Sequence, residues 1–228
     1  MKLCKPWKAI LLDLDDTLYR EYSYVSAAFE EVAAYLSDRY GVEQDALMAT
    51  MQELLITNGR GRIFDDVCKQ YVIQENISHL VQIYRSARPK LSLYEDAEIF
   101  LKELRKMGVK SAVITDGAAG VQRAKIEGLG LEEVIDEVLV TDELGLSKPD
   151  PQVYTTVLEK LQISANEAVY VGDNPAKDFI GARALGLDTV RIIRPFGDHM
   201  REEAKQGFDA DRQISLLTDL LLSEEDTI

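Results

Sequence analysis

Asp13, Asp15 and Thr17 form a DxDxT run directly behind the apolar stretch that ends at Leu12. Residues two apart on extended backbone face the same way, so both carboxylates can converge on one point. Two acids held side by side are costly without a cation, and hard oxygen ligands with waters suit Mg2+. Taken alone, the run reads equally well as an acidic turn capping a helix. Thr115-Asp116-Gly117 closes a second apolar stretch. It brings a hydroxyl and exposed backbone N–H groups to a helix start, where phosphate oxygens bind well, and Gly117 lets the backbone come close. A strand followed by TDG is also an ordinary turn and cap.

Lys148 sits in Ser147-Lys148-Pro149-Asp150, where Pro149 and Pro151 stiffen the loop and open a helix. A fixed ammonium there can neutralise phosphate charge, although an isolated loop lysine is usually solvated. Gly172-Asp173-Asn174-Pro175-Ala176-Lys177-Asp178 follows a further apolar stretch, with Asp173 at its end and Asp178 in the first turn of a helix, where an acid also complements the dipole. Each group taken singly has a plain structural reading. Their order, each at the end of an expected strand, supplies nucleophile, acid/base, hydroxyl, cation and metal carboxylate, the parts phosphoryl transfer needs.

The elements that must position these groups follow from hydrophobic spacing. Lys8 to Asp13, Ser111 to Thr115, Val138 to Val140, Ala168 to Gly172 and Thr189 to Ile193 read as short buried strands. Helical stretches lie at Asp96 to Lys106, Gly120 to Glu127, Pro151 to Leu161 and Ala176 to Leu185. Such alternation predicts an α/β fold with right-handed crossovers, a parallel five-stranded sheet and helices on both faces. From about Glu21 to Arg88 the alternation stops. Helical periodicity runs over Val25 to Tyr40, Gln44 to Leu55, Ile63 to Tyr71 and His79 to Ser86, predicting a helical insertion closed off by Pro89.

A chain of 228 residues fits one core domain with an insertion, and 46% hydrophobic residues suffice for a real core. The net charge of −14, with no basic stripe, argues against nucleic acid as partner. A phosphorylated small molecule stays compatible, because a metal ion and a few cations reverse the field inside a pocket. Cys4 and Cys68 lie in no CxxC or Cys/His array, which fits a reducing setting. The apolar run Ala9 to Leu12 is cut short by Asp13, so neither a signal peptide nor a membrane span is expected, and the protein is expected to be cytoplasmic.

At these residues the sequence resembles the haloacid dehalogenase superfamily of phosphohydrolases, whose four motifs read hhhDxDxT, hhh(S/T), a lone Lys and GDxxxxD. Here they are LLDLDDT, AVIT, Lys148 and GDNPAKD. The resemblance implies a Rossmann-like three-layer core over residues 1–20 and 89–228 and a C1-type helical cap over residues 21–88. It implies that Asp13 is the nucleophile, forming a phospho-aspartyl intermediate, and that Asp15 is the general acid and later the base. Thr115, Asp116, Gly117 and Lys148 would hold the phosphoryl group. Mg2+ would take Asp13, Asp173 and the backbone oxygen of Asp15, with Asp178 in support. Asp15 also separates branches of the family, since the dehalogenases lack an acid there and their leaving halide needs no proton. Asp116 departs from the Asn often found after the Ser or Thr. A carboxylate beside a phosphate would repel it unless hydrogen-bonded or turned away.

The expected activity is therefore hydrolysis of a small phosphate monoester, a sugar phosphate or nucleoside monophosphate, by a monomer or homodimer. A phosphomutase and a non-catalytic phosphate-binding regulatory module remain alternatives. Selectivity is expected from the cap, where Arg60 and Arg62 could grip a second charge or lie on the surface. Tyr19, with Tyr22 and Tyr24, could stack on substrate or pack a hinge. His79 and His199 match no motif position. Leu216 to Leu222 is expected to form a terminal helix.

Overall fold

The computed structural model describes residues 1–222; residues 223–228, the end of the expected sheet domain, lie outside the described residues. The chain divides into two compact units, Met1–Glu21 with Leu91–Ile228, and Tyr22–Lys90. In chain order the elements are β1 (Lys2–Leu3), β2 (Ala9–Leu12), α1 (Glu21–Tyr40), α2 (Gln44–Asn58), α3 (Ile63–Gln70), α4 (Ile77–Ser86), α5 (Glu95–Met107), β3 (Lys110–Thr115), α6 (Ala119–Gly128), β4 (Glu137–Val140), α7 (Pro151–Leu161), β5 (Ala168–Gly172), α8 (Ile180–Ala184), β6 (Asp188–Ile192), β7 (Arg212–Ile214) and β8 (Leu221–Leu222).

In the first unit the sheet runs β4-β3-β2-β5-β6-β7 and is parallel throughout. Every residue of β2 and of β5 is buried, as expected for strands covered on both faces. After β2 the chain moves outward to β3 and β4, then returns to β5 on the other side of β2. That reversal puts the C-terminal end of β2 at the switch point, where open α/β sheets leave a crevice for ligands. The flanking helices carry local signals that fix their ends. Helix α5 begins with Glu95, Asp96 and Glu98, ends with Arg105 and Lys106, and buries Ala97, Phe100, Leu101 and Leu104. Helix α7 starts at Pro151, with the Asp150 carboxylate accepting from Gln152 N at 2.9 Å.

Three expectations need correction. The sheet has six strands rather than five: β7 extends it beside β6 but is three residues long with two of them exposed, too short to show a period. Leu216 to Leu222 is not an α-helix. The Asp219 carboxylate accepts from Ser215 N and Leu216 N at 3.0 and 2.9 Å, which folds Leu217–Leu220 into a single 3-10 turn, and Leu221–Leu222 then pairs antiparallel with β1. Helix α8 starts at Ile180 rather than Ala176, because Asn174 accepts from Ala176, Lys177 and Asp178 backbone N–H groups and makes a turn instead.

The second unit is helical. Val25, Phe29, Val32, Ala33 and Leu36 recur at helical spacing along α1 and pack on Leu47 and Met51 of α2, Phe64 and Val67 of α3 and Leu80 of α4. Phe29, Phe64 and Tyr84 meet pairwise with ring centres 5.9–6.2 Å apart. The Asn76 side chain caps α4 by accepting from Ser78 N. No helix among the described residues is long and apolar enough to cross a membrane.

Candidate active site

Parallel register carries the four motifs to one edge. Leu12 pairs with Val113 on one side and Val171 on the other, so Asp13 and Asp173 follow β2 and β5, and Thr115 ends β3, at the C-terminal ends of three adjacent strands. Asp13 N still donates to Val171 O at 2.8 Å, which holds the residue in line with the strand. Its carboxylate Oδ1 accepts from Lys148 Nζ. The same ammonium lies 2.7 Å from Asp178 Oδ1 and 3.0 Å from the Tyr170 hydroxyl. All three charged groups are buried, Asp178 completely. Burial opposes the Lys148 charge, but Asp13 and Asp178 outweigh it and hold the amine charged, well above the usual lysine range.

Burial pushes the Asp13 carboxyl up to about 7, with Lys148 pulling it back and Asp178 pushing it further. Asp173 is raised to about 10 by burial and then by Asp13, Asp178 and Asp16. Among the described residues neither a hydrogen bond nor an ion pair reaches the Asp173 carboxylate, although the residue is only 4% exposed. A buried acid beside another acid, with no donor of its own, is a donor set that wants a cation. Among the described residues no three His, Cys, Asp or Glu side chains gather tightly enough to hold an ion as they stand. Two carboxylates completed by backbone oxygen and waters suit Mg2+, which keeps several of its own waters.

Asp178 does not present its carboxylate as a ligand. Oδ1 accepts from Lys148 and Tyr170, Oδ2 accepts from Asn174 N at 2.8 Å, and Tyr154 donates to its backbone oxygen. It positions Lys148 and the Asp173 turn. Gly172 permits this approach, since a Cβ there would lie 2.7 Å from Asp178 Cγ.

The Asp15 side chain is likewise fully engaged. Lys125 Nζ lies 2.7 and 2.8 Å from its two oxygens, the Tyr19 hydroxyl donates to Oδ1 at 2.6 Å, and Gln122 Nε2 donates to Oδ2 at 3.0 Å. Burial disfavours the charge of Asp15, but Lys125 with the Tyr19 and Gln122 hydrogen bonds outweighs it and holds the carboxyl below its ordinary range. Tyr19 is therefore a wholly buried partner of Asp15 and not a substrate-facing cap residue. Gln122 also donates to Thr115 Oγ1. Gly117 has φ +123°, and a Cβ there would crowd Gln122 Cδ at 3.3 Å.

Asp116 avoids the conflict its charge suggests. Its Oδ1 accepts from the Thr141 hydroxyl at 2.8 Å and from Lys148 N at 3.1 Å, and Lys177 Nζ lies 3.5 Å from Oδ2. Asp16, with φ 51°, accepts from Glu21 N and Asp198 N, tying the motif loop to two neighbouring segments. Arg60 and Arg62 are exposed in the loop before α3. Arg60 borders a cavity of about 320 Å³ within the helical unit, shared with Val25, Phe29, Phe64, Tyr84 and Arg85. Tyr24 is buried in that unit and donates to Tyr84 O, and His79 meets the Tyr35 ring edge-on. His199 lies 3.0 Å from Asn174 Nδ2 and 2.9 Å from Glu202.

An α/β sheet with acids, a lysine and a hydroxyl gathered at its switch point defines the broad class. Residues 10–192 match the family model of haloacid dehalogenase-like hydrolases, and the chain belongs to that family. It is 32% identical to glyceraldehyde 3-phosphate phosphatase of Methanocaldococcus jannaschii, over 82% of this chain and 85% of that protein. It is 30% identical to phosphoserine phosphatase of Thermus thermophilus, over 82% of this chain and 89% of the other. The solved structure of a HAD phosphatase from Thermococcus onnurineus shares 27% identity with a TM-score of 0.61, over 93% of this chain and 95% of its own.

Proposed function

We propose that this protein is a Mg2+-dependent phosphatase that hydrolyses a small phosphate monoester through a phospho-aspartyl intermediate on Asp13, with Tyr22–Lys90 serving as a C1-type cap. The observation that carries the reading is the shared position of Asp13 at the end of β2 with Lys148 on its carboxylate and Asp173 on the next strand. Relatives named as phosphatases of small phosphorylated metabolites support the substrate class.

Asp13 attacks phosphorus, while Lys148 and Thr115 receive the equatorial oxygens and offset their charge. Asp15 gives a proton to the departing alkoxide and takes one from the water that later attacks phosphorus. Carboxylates of Asp13 and Asp173 with the backbone oxygen of Asp15 would hold Mg2+, which supplies positive charge against the phosphoryl oxygens and relieves the repulsion between the two acids. Asp116 and Gly117 shape the loop that presents Thr115 and the N-terminus of α6.

A panel of phosphorylated metabolites, read as Mg2+-dependent phosphate release, tests the reading. Asp13→Asn is expected to lower turnover on the order of 10⁴-fold or more. Unchanged turnover in that variant, or no release from any ester by the wild type, rejects it.

A further inference from the structure

Helix α6 follows Thr115 after a three-residue turn, and two of its polar side chains, one helical turn apart, are buried rather than solvated: Gln122 at 1% and Lys125 at 3% exposure. A buried lysine costs several kcal/mol unless it is paired. Its main partner is Asp15, contacted through both oxygens, with Glu21 Oε1 at 3.4 Å as a second. Gln122 spans Asp15 Oδ2 and Thr115 Oγ1. The acid/base group and the phosphate-binding hydroxyl are thus indexed to one another by a single helix face.

We infer that Lys125, with Gln122, is a positioning residue that aims the Asp15 carboxylate for the second half of the reaction, hydrolysis of the phospho-enzyme. The inference rests on the phosphatase reading above. Lys125 and Gln122 fill both Asp15 oxygens with donors, and Tyr19 adds a third. These three donors fix the direction in which Asp15 presents its carboxylate. Water activation depends on that direction, because the base must lie within hydrogen-bond reach of the proton it takes. In that step a water oxygen bonds to phosphorus, the bond from phosphorus to Asp13 breaks with its electron pair returning to the Asp13 carboxylate, and the water proton goes to Asp15. Transfer of the phosphoryl group from an aryl ester needs no such help, because a nitrophenolate leaves without a proton.

The test uses the full-length enzyme with Mg2+ and p-nitrophenyl phosphate. In Lys125→Met, kcat is expected to fall about 10- to 100-fold. KM should fall in proportion, leaving kcat/KM within about 3-fold of the wild type. Rapid mixing should show a burst of nitrophenolate equal to the enzyme concentration, followed by slow release of phosphate. Lys125→Arg should recover part of kcat and shrink the burst. If Lys125→Met does not fold, Lys125→Gln reads the same split. A fall in kcat/KM as large as that in kcat, with no burst, marks a merely structural role and overturns the inference, as does an unchanged kcat. A wild type inert towards every ester rejects the functional reading and this inference together, whereas an active wild type with an unaltered Lys125→Met rejects the inference alone.

Discussion

Lys148 Nζ and Asp178 Oδ1 lie 2.7 Å apart, the lysine side chain 3% exposed and the acid completely buried. Since Asp178 also holds the ammonium, Asp13 shares its cation with a second acid and keeps a basic, poorly neutralised carboxylate. Breaking a buried pair by deleting one partner is far more costly than never having built it. Asp178→Ala should therefore lower the unfolding free energy by about 3 kcal/mol in urea titrations done in EDTA. A loss below about 1 kcal/mol would mean that Asp13 alone suffices to hold Lys148.

The metal-free protein should become less stable as pH rises. Asp13 at about 7 and Asp173 at about 10 both lie above their ordinary 3.8, so between about pH 4 and those values the folded state binds more protons than the unfolded one. Stability then falls with increasing pH across that window, and the penalty is absent below about pH 4, where both states are protonated. On the proposed reading, Mg2+ would remove the penalty by binding the ionised pair. The rise in Tm on adding Mg2+ should be larger at about pH 8.5 than at about pH 6, measured by thermal unfolding with and without EDTA. An equal rise at both values would show that Asp13 and Asp173 do not share the ion.

Much of the sheet domain was legible because buried parallel strands read as bare apolar runs and the polar groups at their ends stand out. Ala168–Gly172 and Pro151–Leu161 begin and end where the spacing placed them. The helical stretches of the insertion were equally plain, since Val25, Phe29, Val32 and Leu36 repeat at one face. What the sequence hides is which polar residues are buried. Gln122 and Lys125 look like the solvated face of an ordinary helix, and only the packing of α6 beside the Asp13 loop turns them inward. Their one available signal was spacing: polar residues one turn apart on the helix that directly follows the second motif. Tyr19 was drawn to the insertion by proximity in sequence, yet it lies four residues after Asp15 and folds back onto it. Strand β7 carried no period to detect.

Gly172→Ala should damage the site without touching any group that meets substrate. The added Cβ would fall 2.7 Å from Asp178 Cγ, closer than packed carbons approach, and Asp178 is too deeply buried to swing away freely. Overpacking of this kind costs about 1–3 kcal/mol. Because the displaced carboxylate holds Lys148, turnover should fall about 10-fold or more while the circular dichroism spectrum stays that of the wild type. Full activity would show that Lys148 takes its position from Asp13 and Tyr170 instead.

Arg194 anchors the DxDxT loop from a distance the motifs do not disclose. Its Nη2 donates to Thr17 O at 2.6 Å, its Nη1 reaches both Asp96 oxygens at 2.8 and 2.9 Å, and the guanidinium lies 4.1 Å from the Tyr94 ring centre. Asp96 in turn accepts from Leu217 N at 2.7 Å, so the loop after β2, the start of α5 and the 3-10 turn at Leu217–Leu220 share one buried charge cluster. Arg's planar fork serves two acceptors at once, and a lysine of similar reach cannot. Arg194→Lys should cost about 1–3 kcal/mol in urea unfolding, and Arg194→Met more, because Asp96, partly buried, is then left with a backbone donor alone. Hydrogen exchange should locate the loss: faster exchange at Thr17 and Leu217 amides in Arg194→Lys, with α7 unchanged, is the expected pattern. Uniform acceleration across the sheet would mean that the cluster supports the whole unit and has no particular hold on the DxDxT loop.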